Sequence, residues 1–138
     1  MMGSRPGSTY LPIETTFMGF LGGTFHDEGP GTLSSTVTVR GDMLQPMGIV
    51  HGGIYCAIAE SVASMGASRE VGTESGQVVM GQANNTSFLR PVTGGSIRAV
   101  GSLRHRGRTT MIWQIDLFDD ADRLCAVSQV TMAVRPAR

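Results

Sequence analysis

The stretch "TLSSTVTVR" (32–40) alternates, with Leu33, Ser35, Val37 and Val39 on one side and Thr32, Ser34, Thr36, Thr38 and Arg40 on the other. A period of two over that length predicts a half-buried strand. The preceding "GFLGGTFHDEGPG" reads as a first strand closed by a Gly/Pro turn, and the following "GDMLQPMGIV" (41–50) reads as a loop. Residues 52–67 show no alternation, are almost all apolar or small, and form the one long helix the chain predicts. Four strand-like segments follow, 77–88, 96–105, 109–118 and 123–134, separated by "RPVTGG", "HRGR" and "DDAD". In the second of these, Ile97, Ala99, Gly101 and Leu103 face inward against Ser96, Arg98, Ser102 and Arg104. Connections this short predict antiparallel neighbours in chain order, a meander. A sheet following one apolar helix hides that helix only by wrapping it, so the fold class is α+β, an antiparallel sheet around one long central helix.

With 138 residues, the chain fits a single domain over 13–138 behind a flexible lead-in, 1–12. No segment has the roughly 18 uninterrupted apolar residues of a membrane span, and the N-terminus lacks an apolar signal core. Two cysteines, Cys56 and Cys125, are too few for a disulfide-stapled exported domain. A reduced cytoplasmic protein with no membrane association is expected. The histidines and cysteines show no metal-site spacing, so no metal is expected, and no phosphate loop or nucleotide cofactor is implied.

Net charge is zero but uneven: residues 1–85 hold three Arg against seven acids, and 86–138 hold eight Arg against four. Every basic residue is Arg, which grips phosphate bidentately. One Trp, two Tyr and five Phe are too few for base stacking, so a phosphorylated small molecule is expected rather than a nucleic acid.

The helix carries one conspicuous charge, Glu60 within "VHGGIYCAIAESVASMGA". Burying an unpaired carboxylate is costly, so Glu60 is either paired and structural or faces a cleft and does chemistry. Upstream, His51-Gly52-Gly53 stands where loop becomes helix, which leaves the Gly52 N–H unpaired at the positive end of the dipole. Such a donor suits a carbonyl oxygen gaining negative charge. Eight residues of helix put Glu60 about 12 Å from Gly52, beyond the ~3–3.5 Å of an attacking atom. If the two act together, a two-fold partner must supply one of them, and the enzyme is a dimer at least. Ser64, one turn on, shares the face of Glu60 and is placed to hold its carboxylate. Cys56 has no base beside it in sequence and reads as a small core residue. Met47, Met65 and Met80 are candidates to line a pocket.

"GIVHGGIYCAIAE", with "GQANNTSFLRPV" and "DDADRLCAVSQVTMAVRP" following in order, resembles the hotdog-fold acyl-CoA thioesterases over about residues 30–138. Within them it is most similar to the Glu-dependent 4-hydroxybenzoyl-CoA thioesterase type of the phenylacetate-pathway group. The resemblance implies that Glu60 is nucleophile or general base and that the Gly52 N–H polarises the thioester carbonyl. It implies that Gln45 and Ser64 support the site, and that His51, Arg90, Arg108, Thr109 and Arg138 bind an acyl-CoA substrate. It further implies no cofactor, CoA being part of the substrate, and a dimer-of-dimers tetramer. The acyl group stays open between aryl and medium-chain. Two rivals stand beside this reading: a hotdog enoyl-thioester hydratase or dehydratase, and a non-catalytic acyl-CoA-binding module.

Overall fold

The computed structural model describes residues 10–137. Strands β1 (Thr24–Asp27) and β2 (Thr32–Thr38) precede helix α2 (Gly52–Val71), and β3 (Gln77–Phe88), β4 (Ser96–Arg106), β5 (Thr110–Phe118) and β6 (Leu124–Pro136) follow it. Ahead of β1 lie a 3-10 turn (Ile13–Thr15) and a short helix, α1 (Phe17–Leu21). The α+β expectation holds: the strands form one six-stranded antiparallel sheet around α2. Among the described residues, no helix is long and apolar enough to cross a membrane.

Helix α2 is packed through Ile54, Tyr55, Ile58, Ala59, Val62, Ala63 and Met65–Ala67, residues that recur at helical spacing. Two glycines let it lie close to the sheet. A Cβ on Gly66 would sit 2.5 Å from the Trp113 ring, and a Cβ on Gly101 would sit 2.6 Å from Val62. Trp113, Ile97, Ile115, Leu117 and Met132 complete a core closed to solvent.

Two expectations are corrected. The sheet order is β1-β2-β4-β5-β6-β3, so only β4, β5 and β6 form a meander. β3 pairs with β6, from Gln77↔Pro136 to Phe88↔Ala126, and not with β4. Residues 89–95 instead run across the N-terminal end of α2, where buried Val92 accepts the Val50 N–H at 2.8 Å. That crossover lets the sheet flank the helix on both sides. The first strand is also shorter than expected: Gly19, Phe20 and Leu21 belong to α1, which ends at left-handed Gly22 (φ +68°), and β1 begins at Thr24.

Candidate active site

The loop before α2 folds back on itself. Leu44 bridges Val50, the Gln45 N–H donates to the Ile49 carbonyl at 2.8 Å, and the His51 N–H donates to the Met43 carbonyl at 2.9 Å. His51 is extended (φ −62°, ψ 135°) and caps the helix. Its Nδ1 accepts the Gly53 N–H at 2.8 Å, and its carbonyl accepts the Ile54 N–H at 2.9 Å. The Gly52 N–H between them has no acceptor among the described residues. Because Nδ1 accepts, the bond assigns the ring proton to Nε2 of this exposed side chain. The Gln45 Oε1 accepts the Met47 N–H, which folds the side chain onto its own turn and leaves its amide N–H groups as donors.

Phe88, from the far end of β3, closes the site from one side. A Cβ on Gly52 would lie 2.8 Å from its Cζ and 2.9 Å from its Cε2, so only glycine allows the ring so close. Beneath it lies buried Tyr55, whose ring centroid is 5.8 Å from that of Phe88. Burial, with Cys125 adding to it, pushes the Tyr55 phenol up to about 12, so it stays protonated.

Glu60 is exposed in the chain, so its charge is not stranded in the core. It lies beside Gly81, where a Cβ would come within 3.0 Å of its Oε1. The groove around it, about 460 Å³, is lined by Phe17 and Met18 of α1, by Cys56, Ala57, Ser61 and Ser64 of α2, and by Asn84 of β3. The Asn84 Nδ2 donates to the Cys56 carbonyl at 3.0 Å, and its Oδ1 accepts the Thr86 hydroxyl at 2.7 Å. A bulge between Gly81 and Ala83 turns both Gly81 and Asn84 towards the helix.

Ser64 lines the groove with Glu60, but no hydrogen bond joins them within the chain. Glu60 and Gly52 meet β3 at different places, Gly81 and Phe88, which agrees with their separation of about 12 Å along the helix. Arg90 is exposed just past β3, whereas Arg108 and Thr109 are exposed in the turn before β5. These lie at opposite ends of the sheet, since β6 pairs with Phe88 through Ala126 and with Val79 through Val134. Eight residues of strand span about 27 Å, so the chain alone does not bring Arg90 to Arg108 and Thr109. Arg106 of the same basic turn is tied to Glu70, Nη1 to Oε2 at 3.2 Å. Arg138 lies outside the described residues.

Cys56 is corrected from core residue to groove lining: it is half-buried, one turn before Glu60. That spacing was the available signal, since i and i+4 share a helix face. Of the three candidate methionines, Met65 lines a cavity further along α2, while Met47 and Met80 are exposed. The contributions of Phe17, Met18 and Asn84 had no sequence signal, because they depend on tertiary placement.

Residues 47–126 match the Thioesterase superfamily. A solved protein of Mycobacterium tuberculosis is 39% identical, with a TM-score of 0.82, covering 88% of this chain and 98% of that one. A solved thioesterase of Pseudomonas aeruginosa, a glutamine-to-alanine mutant, is 31% identical with a TM-score of 0.85, covering 90% and 88%. The 1,4-dihydroxy-2-naphthoyl-CoA hydrolase of Escherichia coli is 36% identical over 121 residues, 88% of each chain. With a hotdog sheet wrapped around its central helix and a free N–H at that helix's start, the chain belongs to the thioesterase superfamily and is a thioester hydrolase.

Proposed function

We propose that the protein hydrolyses an aryl- or medium-chain acyl-CoA to the free acid and CoA, at sites built between two copies of the chain. The observation that carries this reading is the Gly52 N–H, free at the helix start, with the exposed Glu60 too far along the same helix to reach its ligand. β3 supplies the means of joining them. Among the described residues it is an edge strand, joined in the sheet to β6 alone, with Met80, Ala83, Asn85 and Phe88 exposed. A sheet edge left open over 80–88 is a template for a second strand. Antiparallel pairing of two β3 strands about a two-fold axis at Asn84–Asn85 exchanges the Gly81 and Phe88 ends, because those residues are equidistant from it. The partner's Glu60, beside its Gly81, then comes to the Phe88 end where Gly52 lies. The same operation brings Arg90 to the end of the sheet that holds the partner's Arg108 and the partner's Thr109, so both chains grip the CoA phosphates.

In this site the Gly52 N–H donates to the thioester oxygen as it gains charge. The Gln45 amide supports the same oxygen, and the exposed His51 Nε2–H offers a second donor to the substrate. The Glu60 carboxylate either removes a proton from an attacking water or attacks the carbonyl carbon itself. Where water attacks, the tetrahedral centre collapses, the C–S bond breaks, and the thiolate leaves with the proton that Glu60 took from the water. Where Glu60 attacks, collapse expels the thiolate, which takes a proton from solvent. Water then adds to the acyl–Glu60 anhydride, whose C–O bond breaks to release the free acid and restore the carboxylate. Ser64 orients the carboxylate. Two such dimers make the expected tetramer.

The test is thiol release from a panel of aryl- and alkyl-CoA esters by wild type and Glu60→Ala. The reading predicts release by wild type and a loss of at least about 100-fold in kcat for the variant, with an unchanged circular dichroism spectrum. A near-normal variant rate would remove Glu60 from the chemistry.

A further inference from the structure

The Glu60 side chain rests on β3 at Gly81. The three heavy atoms nearest a Cβ built there all belong to Glu60: Oε1 at 3.0 Å, Cδ at 3.1 Å and Cγ at 3.5 Å. Backbone conformation does not call for glycine at 81, because its φ lies outside the left-handed region that Gly76 and Gly95 occupy. A glycine in a strand weakens it, so what Gly81 supplies is room for the carboxylate. The strand is shaped for this. Gly81 pairs with Met132 and Ala83 with Thr131, which leaves Gln82 as the extra residue of a bulge. Residues three apart on a regular strand face opposite sides, whereas the bulge puts Gly81 and Asn84 on the same one, towards α2. Asn84 then fixes the strand to the helix. Its Oδ1 accepts the Thr86 and Ser128 hydroxyls at 2.7 and 3.3 Å, which assigns its Nδ2 as the donor to the Cys56 carbonyl at 3.0 Å. Within a helix that carbonyl also accepts the N–H of residue 60, so the anchor and the carboxylate belong to one turn.

We infer that Gly81 is a positioning residue for the hydrolysis: it seats the Glu60 carboxylate, by contact alone, at the depth from which that carboxylate acts. The inference rests on the reading of Glu60 as base or nucleophile and adds what holds it in place. A carboxylate that takes a proton or attacks a carbon needs a free lone pair. Among the described residues no hydrogen bond or ion pair reaches that of Glu60. Contact therefore sets where it rests, and a strand backbone tied to the helix is a stiffer support than a side chain. A methyl group at 81 would hold the carboxylate off to an ordinary separation of ~3.5–4.0 Å, a displacement of about 0.5 Å. A misplacement of about 1 Å can cost ~100-fold in rate, so about 0.5 Å costs about tenfold. The fold gives up nothing, because only the far end of an exposed side chain moves. Activity and stability thus move apart, which a merely structural glycine would not allow.

The experiment measures kcat and KM by thiol release, on whichever ester of the aryl- and alkyl-CoA panel turns over fastest. Wild type, Gly81→Ala, Gly81→Val, Glu60→Asp and the Glu60→Asp/Gly81→Ala double variant are compared, with thermal melts of wild type and Gly81→Ala. Gly81→Ala is expected to lose about tenfold in kcat with KM changed by less than about twofold, and its Tm is not lowered, alanine being the better strand residue. Gly81→Val, with the larger side chain, is expected to lose about 100-fold. Aspartate is one methylene shorter and draws the carboxylate back from the strand, so in Glu60→Asp the alanine should cost less than about twofold. A wild-type kcat in Gly81→Ala overturns the inference, as does a valine variant no slower than the alanine one. An equal loss in both Glu60 and Glu60→Asp backgrounds, or a kcat loss that a fall in Tm accompanies, also overturns it and marks the glycine as serving the strand. None of these results removes Glu60 from the chemistry. Glu60→Ala tests that separately, and a near-normal rate there would overturn both readings.

Discussion

Replacing Gly66 with alanine should destabilise the protein, although alanine is the better helix former. The added Cβ would lie 2.5, 2.8 and 2.9 Å from three carbons of the Trp113 ring, against an ordinary carbon–carbon contact of about 3.5–4.0 Å. Trp113 has no solvent exposure and cannot swing away. Either the helix backs off by about 1 Å or the ring is forced from its rotamer, and overpacking of this kind costs about 1–3 kcal/mol. With contact this close the upper end applies, and the helical preference of alanine over glycine returns about 1 kcal/mol. The net loss is about 2 kcal/mol, a fall of roughly 8 °C in Tm for a chain of this size. Thermal melts followed by far-UV circular dichroism would measure it. Because α2 also carries Glu60, a shift of about 1 Å should lower kcat by up to ~100-fold. A variant as stable as wild type or more so, which propensity alone would give, would refute the close approach of helix and sheet.

The two cysteines should differ in reactivity. Burial, with the Asp119 charge adding to it, pushes the Cys125 thiol up, and its Sγ donates to the Leu117 carbonyl at 3.2 Å, whereas Cys56 lines the Glu60 groove. A thiol reagent should label one cysteine per native chain and both in denaturant, and the native adduct should lose thioesterase activity; labelling of Cys125 first, read by peptide mass, would contradict the burial argument. At the β5–β6 turn, the Arg123 N–H foremost, with the Ala121 N–H and the Arg123 guanidinium, holds the Asp119 carboxyl below its usual range. A depressed carboxyl stabilises the fold above its unfolded pKa and ceases to as pH falls through the folded value. Asp119→Asn should therefore lower Tm at pH 7, with a gap to wild type that closes as pH falls below about 4. A gap that stays constant into acid would rule out the charge as its source.

What the sequence revealed follows from the range of the forces involved. The alternation of 96–105 and the apolar content of 52–67 are local, and both elements lie where those patterns place them, α2 continuing to Val71. Glu60 could be singled out because a carboxylate in a small-residue helix conflicts locally with its surroundings, and Gly52 because helix starts leave N–H groups unpaired. The pairing of β3 with β6 was not legible. A short connection ordinarily joins neighbours, and only the need to flank α2 on both sides sends residues 89–95 across its end. Asn84 and Phe88 reach the site for the same reason: a strand sequence says which residues share a face, but not which helix that face meets. The contact of Glu60 with Gly81 joins a helix to a strand bulge, and no local period encodes it.

The central claim is that each catalytic centre draws Gly52 from one chain and Glu60 from another, and mixing two inactive variants tests it directly. Glu60→Ala removes the carboxylate. Gly52→Pro removes the N–H at a first helical position, where proline is well tolerated. His51, at φ −62° and ψ 135°, already has the backbone a residue before proline needs. An unchanged circular dichroism spectrum checks that the Phe88 ring, 2.8 Å from an added Cβ, gives way without loss of the fold. The two variants, unfolded together in equal amounts and refolded, form mixed dimers in half of all pairings, each with one intact centre of two. The account predicts that each parent alone is inactive and that the mixture recovers about a quarter of the wild-type rate. A mixture as inactive as its parents, with mixed dimers confirmed by native mass spectrometry, would place both groups in one chain and contradict the account.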